Sequence, residues 1–193
     1  MQYKLYQFFR PLATCLIRLL YRVEYINIEN IPQNGPFILA GNHKSNFDCV
    51  LLMSSCSKTI NFLAKRELID GKLGFFFKKM GIIPVDRKRH NKEATNKAIS
   101  ILNDGGIIGI FPEGTFNKTP YVVRPFKYGT VKMAYKANVK IVPFAIVGDY
   151  KLFRRSVKIV FDKPYEVKTN DIKGENITLM NKVISLLKNE YNW

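Results

Sequence analysis

Acidic residues are scarce in this chain. It carries 15 Asp and Glu against 31 Lys and Arg over 193 residues, for a formal net charge of +16 at pH 7. So large a deficit implies an anionic partner: nucleic acid, anionic lipid, or an acidic carrier or substrate. Dispersed lysine also makes an ordinary solvated surface, but Lys78-Lys79 and Arg87-Lys88-Arg89 are dense patches. Cysteine is equally sparse. Cys15, Cys49 and Cys56 are odd in number, lie among apolar residues and follow no C-x-x-C or metal-ligand spacing. That excludes a disulfide framework and leaves no metal site; the three read as reduced core thiols of a cytosolic protein. No run of about 18 apolar residues exists, so an ordinary transmembrane helix is not expected. Internal repeats and low-complexity stretches are absent. A hydrophobic content of 47% with 13% aromatics is too high for an extended disordered segment and sufficient for one substantial core.

The N-terminal residues 1–29 stand apart. Phe8, Phe9, Leu12, Leu16, Ile17, Leu19, Leu20 and Val23 are apolar, and Lys4, Arg10, Arg18 and Arg22 interrupt them. The stretch is too charged for a membrane span and lacks the small-residue cleavage site of a secretory signal. It fits a basic amphipathic segment lying in the membrane interface, and equally a helix packed on the protein's own core. Residues 30–193 then form the main domain, entered through the turn-rich 30–36. Strands are expected at 37–41, 61–64, 82–85, 107–111, 141–147 and 157–161, and helices at 47–56, 66–80, 90–103, 126–137 and 177–189. Strands alternating with helices predict a single α/β domain, a mixed, mostly parallel sheet flanked by helices.

Histidine is the rarest titratable residue: only His43 and His90 exist. His43 follows the apolar run 37–41, and α/β proteins place their chemistry at the carboxyl ends of strands. Asp48 lies five residues on. A histidine can take a proton near neutral pH and a carboxylate can hold its ring in one tautomer. On an ideal helix five positions turn through about 500°, so the two side chains would not share a face. The pair therefore requires His43 in the loop and Asp48 in the first helical turn. Asp48 has a second reading, because Ser45-x-x-Asp48 fits a capping box ahead of the apolar 49–53.

Three further stretches end an apolar strand in polar or glycine-rich residues: Gly81 to Arg87, Ile110 to Thr115, and Val142-Pro143-Phe144. Singly, each has a plain structural reading: a surface Asp86–Arg87 pair, a Pro112-Glu113-Gly114 turn, an edge strand at Pro143. In this order they resemble the four blocks of the glycerolipid acyltransferase family, whose type members act on 1-acylglycerol 3-phosphate. The blocks are N-H-x-x-x-x-D at 42–48, G-x-I-x-V-D-R at 81–87, F-P-E-G-T at 111–115 and V-P at 142–143. Residues 62–68 and 125–129 resemble the family's intervening segments, so the likeness spans about 30 to 148.

The resemblance implies transfer of a fatty acyl group from an acyl-CoA or acyl-carrier-protein thioester to a lysolipid hydroxyl. His43 would be the base and Asp48 its orienter. Arg87 would grip the acceptor phosphate, Glu113, Gly114 and Thr115 would shape the acceptor site, and Lys65 would reach the phosphate or thioester. No cofactor is implied, and no G-x-S-x-G elbow is present, in keeping with direct transfer. Both donors are acidic and so is the cytoplasmic face of the cell membrane, which accounts for the basic charge. One departure matters: the family usually follows F-P-E-G-T with arginine and serine, where this chain has Phe116 and Asn117. Lys118, Arg124 or Lys127 would have to compensate, or the acceptor is another lysolipid or an amino-acid-based lipid. A basic nucleic-acid-binding module is the alternative of a different class; charge supports it, but no nucleic-acid-binding motif does, so no nucleic-acid partner is expected.

Overall fold

The computed structural model describes residues 3–86, 92–119 and 122–191. Helix α1 spans Lys4–Tyr21 and is followed by strand β1, Glu24–Ile26, and a single 3-10 turn. Strand β2 is Phe37–Gly41, helix α2 Phe47–Ser55, strand β3 Ile60–Lys65, helix α3 Arg66–Asp70 and helix α4 Gly74–Lys79. Then come β4 (Ile83–Val85), α5 (Lys92–Asn103), β5 (Ile107–Ile110), α6 (Gly129–Ala137), β6 (Lys140–Gly148), β7 (Val157–Phe161), β8 (Tyr165–Glu166) and α7 (Ile172–Tyr191). The strands form one sheet in the order β1-β7-β6-β2-β5-β3-β4, with β8 also paired to β6. All pairs are parallel except β6 with β7 and with β8. This is the mixed, mostly parallel sheet expected.

Successive side chains of a strand face opposite ways, and here both faces are covered. Phe37 and Leu39 join Val142, Phe144 and Ile146 beneath Ile17 and Tyr21 of α1 and Leu51 and Leu52 of α2. Ile38 and Ala40 join Ile108, Ile141 and Ala145 on the other face, beneath α5, α6 and α7. A strand buried on both faces reads as a continuous apolar run, which is why β2 and β6 stand out in the sequence.

Three details depart from the sequence expectation. The expected helix over 66–80 is two short helices, because Gly71 bends the chain and Gly74 passes so close to Ile69 that an added Cβ would strike its carbonyl oxygen. Pro143 lies in a central strand, not at an edge. Asp162 N–H donates to the Pro143 carbonyl at 2.8 Å, so the missing N–H points to the side where β6 changes partner. Tyr165 of β8 faces Ile141, and Phe161 of β7 faces Phe144, leaving Pro143 in the gap. Cys15, read as a core thiol, is exposed on α1, whereas Cys49 and Cys56 are not; none is paired. The apolar sequence around Cys15 belongs to the outer face of the helix.

Helix α1 packs one side on the core, the second of its two expected roles. Tyr6, Ile17 and Tyr21 are buried, and Arg10 and Arg18 donate to the main-chain carbonyls of Cys56 and Ser54 at 2.9 and 3.3 Å. Its other side leaves Phe8, Leu12, Leu16 and Leu19 exposed, at 71%, 54%, 47% and 63%. Among the described residues, no helix is long and apolar enough to cross a membrane.

Candidate active site

Parallel strands β2, β5, β3 and β4 are neighbours in the sheet and end at one edge. The residues that follow them include His43 after β2, Glu113 after β5 and Asp86 after β4, with Lys65 the last residue of β3. Lys65 is exposed there. Arg87 and the Arg87-Lys88-Arg89 patch lie outside the described residues. Strand β6 runs parallel to β2, so Gly148, Asp149 and Tyr150 emerge at the same edge.

Main-chain contacts set the path into His43. Gly41 faces Phe144 so closely that a Cβ would clash with that residue's carbonyl and ring. Asn42 is buried; its side chain donates to Ile146 O at 2.9 Å and accepts from Ile146 N–H at 2.7 Å. It thereby extends the β2–β6 pairing by one residue with side-chain atoms. The His43 ring stacks on Phe111, with centroids 4.0 Å apart and planes within 13°, and meets Phe116 at 4.5 Å.

Asp48 is in the first turn of α2 and fully buried. Its Oδ2 lies 2.8 Å from His43 Nδ1 and accepts the backbone N–H groups of Lys44 and Ser45 at 2.6 and 2.8 Å. Its Oδ1 accepts the Tyr150 hydroxyl at 2.7 Å. One carboxylate, held by four donors, thus meets the His43 ring and makes half of the expected capping box: it accepts the Ser45 N–H, but Asp48 N–H bonds the Ser45 carbonyl instead of its hydroxyl, and the residue before α2 is Asn46. An ionised carboxylate only accepts hydrogen bonds. Nδ1 therefore carries the proton, and Nε2 is left as the basic nitrogen. Burial, then the Asp48 charge, pushes the neighbouring Cys49 thiol up to about 12, so it offers no thiolate nucleophile at neutral pH.

The third block clamps His43 from the other side. Glu113 is buried, and its two oxygens accept the backbone N–H groups of His43 and Arg124, each at 2.8 Å. Burial raises its carboxyl above the ordinary range, opposed by those hydrogen bonds and by the charges of His43 and Arg124. Asn117 N–H donates to the His43 carbonyl at 3.0 Å. Gly114 has φ +70, and a Cβ there would sit 2.9 Å from Cε and Nζ of Lys127. The positive φ is what favours glycine here; the flexible end of Lys127 could move aside from a Cβ. Thr115 is half-buried in the same loop. Glu113→Gln is expected to turn one acceptor into a donor facing a buried N–H. A loss of about 2 kcal/mol and a fall in turnover should follow, read by thermal unfolding and initial rates.

Sequence reasoning missed Tyr150. Only its place after β6, at the edge where the blocks converge, could have marked it. Among the described residues, no group of three His, Cys, Asp or Glu is placed to hold a metal ion.

The fold and this edge define an α/β protein with a hydrogen-bonded histidine–carboxylate pair at the end of a mostly parallel sheet. The family model described as Acyltransferase matches residues 22–147, and the chain belongs to that acyltransferase family. It is 31% identical over 166 residues to the 1-acyl-sn-glycerol-3-phosphate acyltransferase of Bacillus subtilis (strain 168), covering 83% of this chain and 82% of that one. It is 36% identical over 179 residues to the probable 1-acyl-sn-glycerol-3-phosphate acyltransferase of Mycoplasma pneumoniae, covering 81% of this chain and 66% of that one. The crystal structure of the 1-acyl-sn-glycerophosphate acyltransferase PlsC from Thermotoga maritima superposes with a TM-score of 0.75 at 21% identity, over 97% of this chain and 79% of that chain. This likeness bears on the fold.

Proposed function

We propose that the protein acylates 1-acyl-sn-glycerol 3-phosphate to phosphatidic acid in phospholipid synthesis, using an acyl-CoA or acyl-carrier-protein thioester. The observation that carries this reading is the His43–Asp48 pair at 2.8 Å, with Nε2 left basic, in a chain whose relatives bear that activity in their names. His43 Nε2 takes the acceptor hydroxyl proton as the oxygen attacks the thioester carbonyl. Asp48 stabilises the imidazolium so formed. The tetrahedral adduct expels the thiolate, which recovers the proton from His43; an ester forms and a thioester breaks. Placing both substrates beside one base removes much of the entropic cost of a bimolecular step. No metal or organic cofactor takes part.

The acceptor phosphate needs cations. Lys127, whose ammonium stands over Gly114, Lys65 and Arg87 serve this role, and Glu113 holds the loop that bears Gly114. Phe116 lies against the base where the family usually places arginine, so Lys127 carries a larger share of phosphate binding. The work takes place on the cytoplasmic face of the membrane, where the outer face of α1 meets the bilayer and the +16 charge draws the protein to anionic lipid.

The test is an acceptor panel. Wild type should form phosphatidic acid from lysophosphatidic acid in preference to lysophosphatidylcholine, and Lys127→Ala should raise the KM for lysophosphatidic acid about tenfold with little change in kcat. Preference for lysophosphatidylcholine or an amino-acid lipid would overturn the acceptor and leave the reaction.

A further inference from the structure

We propose that Tyr150 is a positioning residue for the His43–Asp48 pair, holding the carboxylate by its second oxygen so that the first stays aimed at Nδ1. The inference rests on the acyl-transfer reading of that pair. Asp48 must satisfy two demands at once. Its Oδ2 serves His43 and two loop amides, and those three contacts alone leave the carboxylate free to swing about them. The Tyr150 hydroxyl at 2.7 Å from Oδ1 closes the fourth direction. Four donors on one buried carboxylate define its plane.

The tyrosine is itself held. Its ring meets Tyr21 of α1 edge-on at 5.3 Å and Phe47 of α2 at 5.6 Å, and Tyr21 meets Phe47 at 5.5 Å. Three aromatic rings from three segments thus fix where the hydroxyl points. Burial, and then the facing Asp48 charge, push the phenol far above its ordinary range, so it remains a donor across the working pH range. The segment bearing it is tied down on both sides. Lys44 Nζ binds the Gly148 carbonyl and lies 3.3 Å from Asp149, and Phe153 N–H donates to Leu20 O of α1.

Loss of the hydroxyl has a predictable electrostatic sign. The Tyr150 O–H withdraws part of the carboxylate's charge. Without it, Asp48 attracts the imidazolium more strongly, and His43 holds its proton to higher pH. The other groups facing the pair keep their places: Glu113 on the His43 N–H, Cys49 beside Asp48, Lys44 turned to Gly148 and Asp149, and Tyr21 on the ring of Tyr150.

Tyr150→Phe keeps the ring contacts and removes only the oxygen. In detergent micelles with lysophosphatidic acid and palmitoyl-CoA, kcat should fall about tenfold with both KM values unchanged, and the acid limb of the rate profile should move to higher pH. With two histidines in the chain, imidazole NMR resolves the His43 resonance once His43→Ala identifies it. Its titration midpoint should move with the rate profile. A variant with wild-type kcat, or a slower one whose rate profile and His43 titration match wild type, overturns the positioning role. Failure of wild type itself to transfer an acyl group from either palmitoyl-CoA or palmitoyl-acyl carrier protein would instead sink the acyl-transfer reading. The titration would still report whether Tyr150 acts on His43.

Discussion

His43→Ala is expected to lower acceptor-dependent acyl transfer by about 10³-fold, within the range that general-base catalysis supplies, and to leave the fold intact. The two halves of this expectation have separate physical grounds. The rate falls because Nε2 is the basic atom that the Asp48 contact leaves open, and Cys49 is held as a thiol. The fold survives because Asp48 keeps three of its four donors when the ring is lost, and the other hydrogen bonds that fix this loop use the His43 main chain. Glu113 accepts from His43 N–H and Asn117 donates to His43 O, and alanine keeps both. The ring stack on Phe111 is lost, a modest term of about 1 kcal/mol. A circular-dichroism melt close to wild type together with the rate loss would establish the separation.

Asp48→Asn is expected to cost about as much activity and, unlike His43→Ala, to lower stability as well. The amide has the shape of the carboxylate but carries one acceptor oxygen and one donor nitrogen. With its oxygen toward Tyr150, its NH2 faces Nδ1 and two backbone N–H groups. That orientation forces the wrong imidazole tautomer and leaves two amides unpaired. With the amide turned the other way, its NH2 faces the Tyr150 hydroxyl, which can rotate to accept, so this orientation prevails and His43 keeps its tautomer without the charge that stabilises its cation. In serine-protease triads the same exchange lowers kcat by about 10⁴. Here a loss of about 10³-fold is expected, with a stability loss of about 2 kcal/mol as charge-assisted bonds become neutral ones. The checks are kcat at pH 7 and urea unfolding at the same pH.

Much of this site was legible in the sequence because the chemistry is local. His43 and Asp48 lie five residues apart, and the requirement that one be in a loop and the other in the first helical turn is met by Phe47–Ser55. Strands β2, β5 and β6 announced themselves as apolar runs because the sheet is covered on both faces. Strands β1 and β8, three and two residues long, carry too few residues for a periodic signal. Gly74 split an expected helix through a contact with Ile69 that periodicity does not encode.

What the sequence concealed is long-range. The Tyr150 hydroxyl reaches Asp48 across 102 positions, and a single tyrosine in a loop has no pattern to recognise. Glu113 was legible as part of a block, but the commitment of both its oxygens to main-chain amides, one of them 70 positions away, depends on how the β5 loop folds against β2. Pro143 misled for a related reason. A proline inside a strand usually marks an edge, and only the change of partner from β8 to β7 along one side of β6 makes a central position tolerable.

The most direct test follows free thiol released from palmitoyl-CoA and from palmitoyl-acyl carrier protein, with and without lysophosphatidic acid, for wild type and His43→Ala. Wild type should release thiol with at least one donor only when the acceptor is present, in step with phosphatidic acid formed, and His43→Ala should lose that increment. Release that ignores the acceptor, or persists undiminished in His43→Ala, would contradict the assignment of His43 as the base in direct transfer from the thioester to the lysolipid.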